Sequence, residues 1–200
     1  MYIVIPAYKA EKWIEECLDA ACSQASVLLG IDGCEATFNK VKEIRHKYSN
    51  LQVFYYPENK GTYVTLNTLI RHAGDVFLVF GADDVMSDGM VEKMKSNAPC
   101  ISKHNGIICL TKQMYDEFGG YRPWRIEADT DLLERIKTKY KVKVLPKMFF
   151  RREHKGQLTK GKKTGLKTPY RRSLRKITKS EIKKGNTYVK SVYHNHSIQG

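Results

Sequence analysis

The stretch Gly74-Asp75-Val76-Phe77-Leu78-Val79-Phe80-Gly81-Ala82-Asp83-Asp84 constrains the fold of this chain more than any other. Val76 to Phe80 is an unbroken apolar run, β-branched and aromatic, of strand length. Gly74-Asp75 turns the chain in front of it, and Gly81 lets the chain bend sharply behind it. Such a run reads as a strand buried on both faces in a largely parallel sheet. Asp83 and Asp84 then fall just past the strand's carboxyl end, where open α/β sheets bind ligands. Adjacent carboxylates repel each other unless a cation sits beside them, and a divalent metal carrying phosphate oxygens meets that need. A solvated acid pair before the next helix, capped by Ser87 or Asp88, is the competing reading of these two residues taken alone.

Upstream, strands and helices alternate. Tyr2-Ile3-Val4-Ile5 is a strand stopped by Pro6, and Ala10 to Gln24 carries a helical stripe at Trp13, Ile14, Cys17, Leu18 and Ala21. Val27 to Ile31 is a second strand ending at Asp32-Gly33, and Phe38 to Tyr48 a second helix. Leu51 to Tyr56 is a third strand closed by Pro57, and Tyr63, Leu66, Leu69 and Ile70 mark a third helix. This order predicts a doubly wound, mostly parallel sheet with helices on both faces. Beyond Asp84 the pattern is less regular: a strand over Gly106 to Leu110, helices over Lys112 to Phe118 and Thr130 to Lys139, and a strand over Val142 to Leu145.

Two hundred residues suit one domain with an appendage. No run of eighteen apolar residues occurs, and the N-terminus starts directly as a strand, so neither a membrane span nor a signal peptide is expected. Five cysteines without a C-x-x-C pair read as free thiols in a reducing cytoplasm, the host cell's if the source is viral. Charge is uneven. Residues 151–200 hold 15 of the 35 Lys and Arg against two acids, a net +13, whereas the first 150 residues carry +1. A nearly neutral body thus ends in a basic segment of the kind that binds polyanions or is simply solvated.

The residues quoted so far, with others further along, carry a family resemblance. Ile3-Val4-Ile5-Pro6-Ala7-Tyr8 with Ala10-Glu11 resembles the opening of family 2 glycosyltransferases of GT-A fold. Ile31-Asp32-Gly33-Cys34, Glu58-Asn59-Lys60-Gly61 and Leu66-Asn67 resemble the family's next blocks, and Gly74 to Asp84 its G-D/E-Y-I…D-x-D-D strand. Gly119-Gly120-Tyr121-Arg122 with Ala128-Asp129-Thr130-Asp131-Leu132 is similar to its G-G-F…E-D-x-D-L block, and Arg151 to Leu158 to its R-x-H-x-x-S-L-S ending. Each block is weak alone; the ordered set over roughly residues 2–160 is specific. Gly81 stands where many relatives have an acid, which leaves open which of Asp83 and Asp84 ligates metal. Ala128 stands where relatives have a glutamate, with Glu127 one residue earlier. The resemblance implies a GT-A domain over 1–155, with a nucleotide-binding half (1–85) and an acceptor half (86–155), followed by a basic extension over 156–200.

It also implies transfer, with inversion, from a nucleotide-diphosphate sugar to an acceptor hydroxyl. Loss of the diphosphate builds negative charge, which Mn²⁺ or Mg²⁺ held by Asp83 and Asp84 would neutralise as a Lewis acid. His154 is a further metal or phosphate candidate, and Arg151 and Arg152 match phosphate oxygens. Asp129, at the start of a helix, is the candidate base; an N-cap role is compatible with that. Asp131 reads as structural. Tyr8 and Asp32 are expected at the base and ribose, and Pro6, Ala7, Asn59, Gly61, Asn67 and Ala82 complete the expected donor contacts. Trp124 and Glu127, with Lys162, Lys163, Arg171 and Arg172 of the basic segment, are the expected acceptor contacts.

Other chemistries fit poorly: G-x-x-x-x-G-K-[ST], G-x-G-x-x-G and G-x-S-x-G are all missing from the sequence. The basic segment bears on the acceptor. Tyr170, Tyr188 and Tyr193, with His194 and His196, interleave aromatics with charge as nucleic-acid surfaces do, which favours a hydroxymethylated base in DNA, a viral type of modification. A surface polysaccharide or lipid-linked glycan at an anionic membrane face is the alternative. A non-catalytic nucleic-acid-binding module is the reading from another class.

Overall fold

The computed structural model describes residues 1–152, 160–194 and 197–198. Its centre is an eight-stranded sheet containing the four expected parallel strands: β1 (Tyr2–Ala7), β2 (Ser26–Asp32), β3 (Leu51–Tyr56) and β4 (Val76–Val79). They lie in the order β3-β2-β1-β4, with Tyr2 beside Ser26, Val27 beside Leu51 and Tyr2 beside Phe77. These strands alternate their side chains between two faces, and both faces are covered, as their unbroken apolar composition requires. Ile3, Ile5, Leu29 and Val53 pack toward α1 (Ile14–Cys22) and α2 (Glu35–Ile44). Val4, Leu28, Phe54 and Phe77 pack on the other face, toward α3 (Thr62–Ile70).

The second half departs from parallel winding. After β4 come β5 (Asp84–Met86), α4 (Met90–Lys95), β6 (Cys100–Ser102), β7 (His104–Thr111), α5 (Lys112–Glu117), α6 (Ala128–Ile136), β8 (Lys143–Leu145) and β9 (Phe149–Arg151). β7 runs antiparallel to β4 and to β6, while β8 joins β6 in parallel. β5 and β9 form a separate two-stranded ladder in which Asp84 faces Arg151. Three-residue strands such as β5, β6 and β9 are too short to show periodicity, which is why the sequence does not announce them.

The basic segment contains α7 (Pro169–Lys183), which opens on Thr168 as N-cap with Pro169 in the first turn. Of Leu166, Leu174, Ile177 and Ile182, which stand isolated among lysines and arginines, Leu174 is buried. α7 packs on α6 mainly through polar contacts: Thr178 donates to Asp131 at 2.8 Å, and Arg171 and Arg175 reach Glu127. A helix docked by charge presents no apolar stripe to detect. The final strand, β10 (Ser197–Ile198), pairs antiparallel with Tyr55 and Phe54 on the β3 edge.

Candidate active site

The loops at the carboxyl ends of β1, β2 and β4 open into a cleft of about 650 Å³, whose opposite wall is built by β7, the start of α6, and α7. This is where a doubly wound sheet leaves room for a ligand. Lys9, Lys103 and Glu127, the non-glycine residues with positive φ among the described residues, all line it. Backbone held in the left-handed region costs about 1 kcal/mol or more per residue, and such strain gathers at functional sites.

On the sheet side, Pro6, Tyr8, Asp32, Asn59, Gly61, Ala82, Asp83, Asp84 and Arg151 all reach the cleft. Asp32 is buried. Its Oδ1 accepts from the Lys60 amide and its Oδ2 from the Gly61 amide, both at 2.9 Å, and its carbonyl accepts from Asn59 Nδ2 at 3.0 Å. Burial alone would raise the pKa of Asp32. His194 and the two amides outweigh it and hold the carboxyl below its ordinary value.

Asp84 is 2% exposed, and its Oδ1 has no hydrogen-bond partner among the described residues; Oδ2 lies 3.4 Å from the Arg151 guanidinium. Burial, with the neighbouring Asp83 charge adding to it and Arg151 opposing it, pushes the Asp84 pKa up to about 6. A Cβ built on Gly81 would meet Asp83 Oδ1 at 3.1 Å and Asp84 Oδ2 at 3.2 Å, so both carboxylates bracket one small space. A buried, unpartnered carboxylate oxygen calls for a cation or a proton. Two hard oxygen donors beside an open cleft fit Mg²⁺ or Mn²⁺, which take their remaining ligands from water and phosphate. Among the described residues no group of three His, Cys, Asp or Glu is placed to hold a metal. His154, the expected third contributor, lies outside the described residues.

On the opposite wall, Asp129 sits in the first turn of α6. Its Oδ1 accepts from the Thr130 amide at 2.8 Å, and the neighbouring Tyr63 hydroxyl favours its charged form. Burial raises its pKa. Glu127, two residues earlier, is differently placed. Arg175 Nε bonds Oε2 at 2.6 Å, Arg175 Nη2 bonds Oε1 at 3.0 Å, and Arg171 Nη1 pairs with Oε1 as well. Burial opposes ionisation of Glu127, but the two guanidiniums overcome it and hold the carboxyl below its ordinary value. Glu127 and Arg171 line the cleft, yet each already has its charge partner in the other.

The structure moves several expected residues out of the site. Asn67 is fully buried: its Oδ1 accepts from the Tyr121 amide at 3.0 Å and from the Tyr115 hydroxyl, and its Nδ2 donates to the carbonyls of Tyr121 (2.9 Å) and Val192 (3.2 Å). With every polar position used by the protein, it braces the Gly120-Tyr121 turn and is not part of the lining. Ala7 is packed in the core beneath the cleft. Arg152 is not part of the lining; it pairs with Glu16 and lies over the Trp13 ring at 4.9 Å. Trp124 packs partly buried against the core under the Arg122 guanidinium and is not part of the lining. Lys162, Lys163 and Arg172 are exposed and away from the lining. Asp131 is structural as expected, held by Arg122 (3.0 Å), Arg135 (2.8 Å) and Thr178.

Several lining residues were not assigned to the site from the sequence, among them Arg125 and Arg175, and Tyr63 was read only as part of a helix. Arg175 was discoverable, because a helix starting at Thr168-Pro169 puts it one turn after Arg171 on the same face. Arg125, which donates to Asn59 Oδ1 at 2.5 Å across 66 residues of sequence, leaves no local signal.

Comparison with known proteins agrees with this architecture. The model for "Glycosyl transferase family 2" matches residues 2–178, so it runs into α7. A curated relative from Methanococcus voltae, a dolichyl N-acetyl-alpha-D-glucosaminyl phosphate 3-beta-D-2,3-diacetamido-2,3-dideoxy-beta-D-glucuronosyltransferase, is 28% identical over 123 residues, 53% of this chain and 38% of the relative. The chain therefore spans well under half the length of that relative. The structure of S. aureus TarS 1-349 in complex with UDP-GlcNAc is similar at a TM-score of 0.65 and 15% identity, covering 78% of this chain and 59% of TarS 1-349. The mannosyltransferase PcManGT from Pyrobaculum calidifontis, in complex with GDP-Man and Mn²⁺, is similar at 0.56 and 17% identity, covering 72% of this chain and 54% of that one. At such identities the likeness to solved structures is one of fold. The ordered motifs, the sheet that places them round one cleft, and a family match from residue 2 to residue 178 lead to one conclusion: the chain belongs to glycosyl transferase family 2.

Proposed function

We propose that this chain transfers a sugar, with inversion, from a nucleotide-diphosphate sugar to an acceptor hydroxyl, with Asp129 as the base. The carrying observation is the division of labour across the cleft. Asp83 and Asp84 each turn an oxygen toward one small space on the sheet side, while on the other wall Glu127 is neutralised by arginines and Asp129 has no ion pair among the described residues.

Asp32, beside Asn59 and Gly61, is suited to a nucleoside N–H or hydroxyl, and Tyr8, half exposed at the end of β1, to the face of a base. Arg151 lies beside Asp84 at the place a diphosphate would occupy, and guanidinium suits phosphate oxygens. Asp129 takes the proton of the acceptor hydroxyl as its oxygen attacks the anomeric carbon. The bond from that carbon to the diphosphate breaks on the opposite face, and the electron pair leaves with the nucleoside diphosphate. A single displacement inverts the centre. Mg²⁺ or Mn²⁺ at Asp83 and Asp84, when bound, supplies positive charge to the leaving diphosphate. The elevated pKa of Asp129 suits a base, because proton transfer is most effective when the base's pKa approaches the working pH.

For the acceptor, a saccharide on a lipid or polymer carrier is supported by the name of the Methanococcus voltae relative and by Leu166, an exposed aliphatic at the cleft edge. Transfer to a hydroxymethylated base in DNA keeps one observation in its favour: Arg172, Lys176, Lys179 and Lys183 form an exposed basic stripe along α7. The test is a donor screen with Mn²⁺ or EDTA against lipid-linked and free glycans and against DNA containing hydroxymethylated bases, read by mass. Absence of both transfer and donor hydrolysis across the panel would overturn the reading. Hexose mass on a nucleoside would move the acceptor to DNA.

A further inference from the structure

Beyond α7 the chain runs back across the molecule as a strap from Thr187 to His194. The Thr187 carbonyl accepts from Arg135 Nη1 at 3.4 Å, and the Val189 amide donates to the Phe118 carbonyl at 3.1 Å. The Val192 carbonyl accepts from Asn67, and the His194 amide donates to Thr68 Oγ1 at 2.8 Å. The passage of this strap accounts for Gly119-Gly120. A Cβ on Gly119 would lie 1.7 Å from the Val189 carbonyl oxygen, and one on Gly120 2.5 Å from Ser191 Oγ. Both glycines also have positive φ, so two demands fall on the same pair. The motif admits a chain segment rather than a ligand.

The strap ends at a buried position behind the nucleotide end of the cleft. The His194 ring is stacked on Tyr56, with centroids 4.1 Å apart and planes 8° apart. Its Nε2 lies 3.3 Å from Thr65 Oγ1 and 3.4 Å from Asp32 Oδ1. A carboxylate offers about four acceptor positions. The Lys60 and Gly61 amides and His194 approach Asp32 with three donors, two at Oδ1 and one at Oδ2. One position at Oδ2 remains for a ligand.

We propose that His194 is a positioning residue for the nucleoside: it orients Asp32 from behind, so that the strap sets the affinity of the donor. This rests on the reading of the cleft as a nucleotide-sugar site. A histidine is suited to the task because its flat ring fills the slot against Tyr56 while its nitrogen still reaches the carboxylate. A ring that merely packed there would be replaceable by phenylalanine.

The experiment measures binding of UDP and GDP to the full-length protein in Mn²⁺ by calorimetry, with KM and kcat for any donor turned over. His194→Phe keeps the stacking and removes the donor nitrogen. It is expected to weaken nucleotide binding about tenfold, the scale of one hydrogen bond to a charged group, with kcat at saturating donor preserved. His194→Gln, which restores an N–H, should recover most of the affinity. In a cycle with Asp32→Asn, the double variant should bind no more weakly than Asp32→Asn alone, because both changes act on one contact. Wild-type affinity in His194→Phe, or additive losses in the cycle, would overturn the proposal. A wild-type protein that binds neither nucleotide would instead remove the donor-site reading, and the proposal with it.

Discussion

Arg175 grips Glu127 through both carboxylate oxygens, Nε to Oε2 at 2.6 Å and Nη2 to Oε1 at 3.0 Å. With Arg171 on the same group, both charges of the arginine pair are spent on a carboxylate two residues from Asp129. The arginines of α7 pair with Glu127, and on the proposed reading this leaves Asp129 as the base. Asp129→Asn is therefore expected to lower turnover ~10²–10⁴-fold while nucleotide binding, followed by calorimetry, changes little. Glu127→Gln should cost stability instead. It leaves two guanidiniums facing a neutral amide, worth about 3 kcal/mol at a buried pair and less here because Arg175 is half exposed. A turnover collapse in Glu127→Gln with unchanged melting would reverse the assignment.

Asp83→Ala and Asp84→Ala are each expected to abolish Mn²⁺ binding, followed by electron paramagnetic resonance without any substrate, and to abolish transfer. The pH dependence has a definite sign. Asp84 is raised to about 6, so its proton is held at pH 5 and must leave before a cation binds. Mn²⁺ affinity should fall as pH drops through about 6. Asp84→Asn should bind weakly at every pH and lose that dependence. An affinity flat from pH 5 to 7 in the wild type would count against the site.

Asn67 tests the correction to the donor contacts. Asn67→Ala strands the Tyr121 amide and carbonyl inside the protein, at about 1–3 kcal/mol for each group left unsatisfied. Thermal or urea unfolding should show the loss. Asn67 reaches the donor only through the strap at Val192, so the donor KM of the folded fraction should rise no further than in His194→Phe, and a larger rise without destabilisation would return Asn67 to the donor site.

The exposed charge of α7 is best tested by reversal, since truncation near Gly156 would also strip Arg171 and Arg175 from Glu127 and take away the buried Leu174 with them. Lys176→Glu with Lys179→Glu should weaken binding to anionic vesicles by about 1 kcal/mol per basic residue removed, leaving donor hydrolysis intact. On duplex DNA the salt slope should shrink by ~0.9 for each phosphate that is no longer neutralised. Unchanged binding to both surfaces would show that the stripe serves neither.

What the sequence determined by itself was whatever local pattern encodes. The run from Val76 to Phe80, the strands ending at Pro6 and Asp32, and the alternation between them specify a doubly wound half with its acids at the strand ends. Periodicity and turn chemistry act over a few residues, so that half is legible one element at a time. Only the tertiary structure decided which polar residues were already taken. Asp84 meets Arg151 across a three-residue ladder, Asn67 spends every hydrogen bond on Tyr115, the Tyr121 turn and the strap, and Glu127 is claimed by an arginine 48 residues further along. Chain segments distant in sequence form these contacts, and hydrogen bonding and charge hold them without an apolar period. The same residue letters therefore describe a donor ligand, a base or a brace until the partners are in place.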